Sequence, residues 1–415
     1  MIAGFRCAVC GTSVDIATPL AWKCPNATAS DPHHVLHLLG SGGGSGRETA
    51  GQARQFPDQN EEVNPFIRYG PWLAWWAFAR ANGMTEDACE ALTWDVAGDF
   101  RCTPFARSTH LSDELEPDVW VKDETGNVAG SHKARHLVSI LLHLRAAEAL
   151  GLLTERPPLA IASCGNAALA AATLAARAEW PLDVYVPTWM DDTTGARLVE
   201  LGATVHRCER RDDDAPGDPA MLRFREAVRR GAIPFTVQGP ENAYCLDGGR
   251  TIGWEIADQA DEWGVTLDRI LVQVGGGAFA ACVGAGLGHA TRLDTVQAEG
   301  CAPLADTWIR IASIDHPERY WAHVMRPWPE PRSLADGILD DETYDWIAAV
   351  EAMVESGGEP VVAPESDIVR AHELATSAGF LVSPTGSAGL AGLLAARARI
   401  HDHERVAVIM SGVAR

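Results

Sequence analysis

Four short stretches of this chain carry residue types that chemistry uses. Lys133 closes Gly130-Ser131-His132-Lys133, at the head of a predicted helix. The positive end of a helix dipole disfavours a cation, so such a position should depress the lysine pKa and suit an amine acting as nucleophile. Ser163-Cys164-Gly165-Asn166 joins an apolar run to an Ala-rich one. Small residues at a strand-to-helix turn expose backbone N–H groups to a carboxylate or phosphate, and Asn166 adds a side-chain donor. Gly275-Gly276-Gly277-Ala278 follows the strand-like run RILVQV. Successive N–H groups there can cradle a phosphate. The spacing is not that of a dinucleotide fingerprint, and no Gly-Lys-Ser/Thr follows, so it is no nucleotide P-loop. Ser411-Gly412 ends the apolar run VAVIM and offers a neutral hydroxyl.

The elements that must hold these stretches alternate. Val119 to Glu124 reads as a strand. Ser131 to Leu150 reads as an amphipathic helix, with Leu137, Ile140, Leu141 and Leu144 on one face and Gly151 as its stop. Further along, strand-type and Ala/Leu-rich helical runs follow one another to the C-terminus. Alternation of this kind predicts an α/β fold with largely parallel sheets, where ligands bind beyond the C-terminal ends of strands. All four stretches fall at such ends. Each alone has a plain structural reading: a surface lysine, a capped turn, a tight turn, a strand end. Together, an amine nucleophile, a carboxylate-binding turn, a phosphate cradle and a neutral hydroxyl are the parts that a pyridoxal phosphate site needs.

The chain has 415 residues, enough for two or three subdomains, and 47% of them are apolar. Its 34 Lys and Arg stand against 56 Asp and Glu, a net charge of −22. That balance argues against nucleic acid and anionic membrane as partners. The N-terminus lacks the pattern of a signal peptide, and no apolar run is long enough to span a bilayer. The cysteines are scattered apart from one close pair, so reduced thiols in the cytoplasm are the expectation.

On these motifs the sequence resembles the fold-type-II pyridoxal phosphate enzymes, such as threonine synthase, serine/threonine dehydratase, cysteine synthase and the tryptophan synthase β chain. VKDETGNVAGSHKARH is similar to the family's lysine segment, SCGNAALAAA to its Ser-x-Gly-Asn turn and VGGGAFAACVGAGL to its phosphate loop. CTPFAR (Cys102 to Arg107) resembles its Thr-Pro-Leu motif. The resemblance runs from about Asp95 to the C-terminus. It implies that Lys133 carries pyridoxal phosphate as a Schiff base and that Asn166 contacts the ring hydroxyl. Gly275, Gly276, Gly277 and Ala278 would bind the phosphate. Ser163, Cys164, Gly165 and Asn166 would meet the substrate carboxylate, and Ser411 would face the pyridine nitrogen. A neutral hydroxyl there makes the ring a weaker electron sink, which favours expelling a β-leaving group over transamination. Lys133 would be the α-proton base.

The implied activity is a β-elimination that deaminates a small β-substituted or hydroxy amino acid. The alternatives are a threonine synthase-like replacement and, in another class, a non-catalytic cofactor-binding regulator or scaffold. The implied architecture is two parallel-sheet α/β domains and a homodimer. Residues 63–135 with 240–415 would form the large cofactor-binding domain, and 136–239 a smaller one. Residues 1–38 resemble a zinc ribbon, with Cys7, Cys10 and Cys24 as ligands of a structural zinc and Asp31, His33 or His34 in place of the family's fourth cysteine. Residues 39–62 are Gly-rich and polar and read as a linker. Trp72, Trp75, Trp76 and Phe78 read as core or dimer interface. The chain departs from threonine synthases around the lysine: His132 precedes it and Ala134-Arg135 follow. No clear site for a substrate phosphate is legible: Arg135 and His136 are candidates, with ordinary polar residues near the helix start as the alternative reading.

Overall fold

A computed structural model describes residues 2–28, 31–40, 64–215 and 217–414. The Gly-rich run expected to be a linker lies outside them from residue 41 onward. The strands in chain order are β1 (Ile2–Cys7), β2 (Ser13–Asp15), β3 (Leu36–Gly40), β4 (Phe105–Arg107), β5 (Asp118–Asp123), β6 (Leu159–Ala162), β7 (Leu182–Pro187), β8 (Thr204–Cys208), β9 (Ile233–Pro234), β10 (Arg269–Gln273), β11 (Arg292–Ala298), β12 (Pro360–Ala363) and β13 (Arg405–Met410). They form three sheets, ordered β2-β1-β3, β12-β11-β10-β13-β5-β4 and β8-β7-β6-β9. The first sheet is antiparallel. The second is parallel except for its edge strand β4, and the third is wholly parallel. The central strands of the six-stranded sheet, β10 and β13, are buried almost throughout, as in a parallel sheet covered on both faces.

The helix Lys133–Ala149 differs from the expected amphipathic one. Leu137, Ile140, Leu141 and Leu144 are buried, but so are Arg135, His136, Ser139 and His143. It is enclosed by the helices Ala74–Ala81, Asn166–Arg177 and Cys245–Gly248, so every residue from Ala134 to Leu144 is buried. Trp75, Trp76 and Phe78 are buried inside the same core, and Trp72 packs against it half-buried.

The buried charges on that helix are satisfied locally. Arg135 donates to Glu124 Oε2 at 2.9 Å and to Glu255 Oε1 at 2.5 Å. Lys122 Nζ reaches Glu255 Oε2 at 2.6 Å and the Thr103 carbonyl at 2.7 Å. Two cations and two anions therefore cancel inside the protein. They tie the end of β5, the helix bearing Lys133 and the helix Arg250–Glu262 to one another.

The N-terminal sheet docks on the segment that follows β9. Phe5 meets Tyr244 edge-on with ring centroids 5.0 Å apart. The Ala243 N–H donates to the Trp22 carbonyl at 3.0 Å, and Lys23 Nζ lies 2.5 Å from Glu241 Oε2.

Candidate active site

β10, β13 and β5 are neighbours and parallel, so their C-terminal ends open on one edge of the six-stranded sheet. The Lys133 segment follows β5, the glycine run follows β10 and Ser411 follows β13. Sequence separation of up to about 280 residues thus collapses into one cleft through the strand order alone. The Ser163–Asn166 turn comes from the other sheet, after β6. Its Asn166 reaches across: a Cβ on Gly412 would come within 2.8 Å of Asn166 Nδ2.

Lys133 is half-buried at the first turn of its helix. Its pKa is depressed as expected, but the leading cause is burial; Asp340, Cys245 and Asp345 pull the other way. The segment before it is clamped to the end of β13. Ser131 pairs with Gly412, and both the N–H and Nδ1 of His132 reach the Ser411 carbonyl, at 3.1 and 3.0 Å. A carbonyl only accepts, so Nδ1 carries the proton and Nε2 keeps a lone pair. Burial, with Lys133 alongside, holds the His132 pKa well below its ordinary value, so the ring is neutral. It stacks on Phe279 with centroids 3.9 Å apart, which fixes the lysine segment against the glycine loop.

Gly277 caps the helix Ala278–Leu287 with φ +96°, a left-handed conformation that glycine adopts without strain. A Cβ there would also meet Thr343 Cγ2 at 2.9 Å. The loop is therefore a bare-backbone cradle at a helix N-terminus, the arrangement that binds phosphate. The Gly276 N–H faces the Asp340 carboxylate, so Gly277 and Ala278 are better placed to present donors.

Ser411 is buried, and its Oγ accepts from Gln273 Nε2 at 2.8 Å. Having accepted from an amide, the hydroxyl keeps its own proton for another acceptor. The turn at Ser163, Cys164 and Gly165 is half-open to solvent, with the Gly165 N–H 3.4 Å from Ser163 Oγ.

Several residues here carry no motif. Gln273, which holds Ser411, shows only as a polar residue inside an apolar strand. Phe279 is one more apolar residue in an apolar helix. Asp340 and Asp345 lie in an acidic stretch between Asp336 and Asp345 that carries no motif. Arg135 and His136, the candidates for a substrate phosphate, are buried. Arg135 is engaged by Glu124 and Glu255, and His136 Nδ1 lies 2.8 Å from the Cys245 carbonyl.

Residues 96–412 match the family of pyridoxal-phosphate dependent enzymes, and the chain belongs to that family. It is 26% identical to a threonine synthase of Methanocaldococcus jannaschii over 75% of this chain and 74% of that protein. It is 26% identical to a threonine synthase of Mycobacterium bovis over 80% of this chain and 85% of that one. The fold is similar to that of a T.th. threonine deaminase, with a TM-score of 0.63 at 23% identity over 80% of this chain and 98% of that chain. It is also similar to that of a diaminopropionate ammonia lyase from Escherichia coli, with a TM-score of 0.63 at 16% identity over 78% and 87% of the two chains.

Pyridoxal phosphate is thus the cofactor of this family, and the residues of the cleft suit it. Ser131 Oγ, His132 Nε2 and Gln273 Oε1 are buried without a hydrogen-bond partner among the described residues. Buried polar atoms in native proteins are nearly always paired, so orphans gathered around one cleft mark a polar occupant. No helix among the described residues is long and apolar enough to cross a membrane.

Proposed function

We propose that this chain is a pyridoxal phosphate-dependent lyase that deaminates a small β-substituted amino acid by β-elimination. The observation that carries the proposal is the convergence of Lys133, the glycine cradle and a hydrogen-bonded Ser411 hydroxyl on one sheet edge. Gly275, Gly276, Gly277 and Ala278 would hold the cofactor phosphate, Asn166 its ring hydroxyl and Ser411 its ring nitrogen. Bound in this way, the cofactor would withdraw electrons from the substrate α-carbon. The turn N–H groups of Ser163, Cys164 and Gly165, with Asn166, would orient the substrate carboxylate. Lys133 Nζ, its pKa lowered by burial, would take the α-proton. Ser411, a neutral donor fixed by Gln273, would not hold the ring nitrogen protonated as a carboxylate would.

The runner-up, a threonine synthase-like replacement, is the activity named for the sequence relatives. It is disfavoured here for a phosphorylated substrate because Arg135 and His136 are committed inside the protein. A non-catalytic regulator or scaffold needs no complete site, whereas every group named above is present. Borohydride treatment followed by peptide mapping tests the core of the proposal. A pyridoxyl group on Lys133, with release of an oxo acid and ammonia from an amino-acid panel, is the expected result. Absence of any cofactor band after adding pyridoxal phosphate would sink it.

The N-terminal sheet supports a structural zinc. One ligand atom from each of Cys7, Cys10, Cys24 and His34 lies within 4.8 Å of the others. The question of the fourth ligand thus turns to His34: its Nδ1 is 3.4 Å from Cys7 Sγ, and Asp31 Oδ2 backs its Nε2 at 3.1 Å. A carboxylate behind a histidine is the usual way to orient such a ligand. His33 instead stacks on Trp321, with centroids 4.6 Å apart.

The division into a large domain of residues 63–135 and 240–415 and a smaller one of 136–239 is supported by the sheets, since each parallel sheet falls within one part. The ten cysteines are all unpaired, which supports a reducing, cytoplasmic setting. A homodimer rests on the family resemblance, and light scattering would test it.

A further inference from the structure

We infer that Gln273 is the positioning residue that decides which reaction this site runs, because it dictates the direction of the hydrogen bond that Ser411 makes to the cofactor ring. The inference rests on the placement of Ser411 at the ring nitrogen proposed above and assigns control of that contact to a residue behind it.

Gln273 is the last residue of β10 and is buried. Its Nε2 lies 2.8 Å from the Gly386 carbonyl, 3.2 Å from the Ile409 carbonyl, 3.4 Å from the Thr385 carbonyl and 2.8 Å from Ser411 Oγ. Carbonyl oxygens only accept, so the amide atom that faces three of them is the NH2 group. Turning the amide over would set its oxygen against those carbonyls. Its Oε1 lies instead against Gly389, where a Cβ would come within 3.0 Å. The two amide protons therefore go to the two nearest acceptors, the Gly386 carbonyl and Ser411 Oγ.

Ser411 is fixed at its other polar atoms as well. Its N–H donates to the Gly386 carbonyl at 3.1 Å, and its carbonyl accepts from the N–H and Nδ1–H of His132. Gly386 cannot retreat, since its N–H is tied to Ser383 Oγ at 3.0 Å and a Cβ on it would run into the Gly412 carbonyl. Only the hydroxyl proton of Ser411 is left to be placed. With an N–H entering Oγ from Gln273, that proton points out toward the cleft, and a ring nitrogen there must accept it. The nitrogen is then unprotonated and the ring a weak electron sink, so charge arriving at the α-carbon leaves with the β-substituent.

Without the amide this direction reverses. Ser411 Oγ keeps a lone pair with no donor, and the buried carbonyls that lost theirs compete for the hydroxyl proton. The ring nitrogen then takes up a proton and becomes the donor. A protonated ring stores charge from the α-carbon and favours α-hydrogen exchange over expulsion of the β-group.

The test loads the full chain with pyridoxal phosphate labelled with nitrogen-15 in the ring and follows the label's chemical shift against pH. The parent should be unprotonated at about pH 7. Gln273→Met keeps the length of the side chain and removes its donors. It should raise the protonation constant of the ring nitrogen by roughly tenfold, about one pH unit, as the loss of one buried hydrogen bond. L-alanine in deuterium oxide gives a second reading, because it has no β-group to expel. Lys133 Nζ takes the α-proton, exchanges it with solvent and returns a deuteron to the same carbon. This exchange should run roughly tenfold faster in Gln273→Met. In a Ser411→Ala background Gln273→Met should move neither quantity, since the amide acts through the hydroxyl.

A protonated ring nitrogen in the parent would overturn the inference, and this reading stands even where Gln273→Met fails to fold. An unmoved nitrogen or an unmoved exchange rate in Gln273→Met, or equal shifts with and without Ser411, would overturn it too. A chain that takes up no cofactor would overturn both this inference and the proposed function. The expected shifts in a chain that releases no oxo acid from any amino acid would support the role of Gln273 and remove elimination alone.

Discussion

Glu255 is where two buried cations meet, and Glu255→Gln isolates the load it carries. Its Oε1 accepts from Arg135 at 2.5 Å, and its Oε2 accepts from Lys122 at 2.6 Å and from the Thr103 N–H at 3.0 Å. Glutamine keeps the shape but turns one oxygen into a donor facing a cation, with no water to relieve it. Removing one partner of a buried pair costs about 3–5 kcal/mol. At an m-value of roughly 3 kcal/mol/M this is a fall of about 1–2 M in the urea midpoint.

Arg135 is two residues from Lys133, so the variant should also trap less pyridoxyl group on that lysine after borohydride. Adding Lys122→Met removes the stranded cation and should recover part of the loss, a coupling that a double-mutant cycle reads directly. The pH dependence carries a sign as well. Burial pushes the Glu255 carboxyl up, but Arg135 and Lys122 outweigh it and hold the pKa below its ordinary 4.5. Its stabilisation is therefore full at neutral pH and fades as pH falls through that depressed value. A midpoint shift under about 0.3 M with normal cofactor loading would refute the reasoning, because it would mean that the ion network bears no net load.

Lys133→Ala should abolish oxo-acid formation and the borohydride-trapped adduct while leaving the unfolding free energy within about 1 kcal/mol of the parent, since Lys133 makes no buried ion pair among the described residues that the substitution would break. The purified chain should hold one zinc by elemental analysis. His34→Ala should lose it and lower the melting temperature, because the N-terminal sheet carries the contacts to Glu241, Ala243 and Tyr244; retention of a full equivalent of zinc would remove His34 as a ligand.

Much of this protein is written locally. The strand-and-helix alternation, the left-handed glycine before Ala278, the lysine at a helix head and the serine at a strand end are each set by neighbours in sequence, so the sequence alone determined the α/β class and the cofactor family. It also supplied Cys7, Cys10 and Cys24 of the four side chains that gather in the N-terminal sheet region. What it left open depended on pairs far apart in the chain. That His34 lies beside Cys7, Cys10 and Cys24 while His33 stacks on Trp321 depends on how the segment before β3 lies against β1. The assignment of Gln273 to Ser411 needs β10 beside β13, an adjacency that no local pattern encodes. Arg135 read as a polar residue near a helix start. Only the closure of the helix Arg250–Glu262 over it, bringing Glu255, turned it into a buried structural cation. A charge acts according to its distance from other charges and its removal from water, and both are fixed only when the chain has folded.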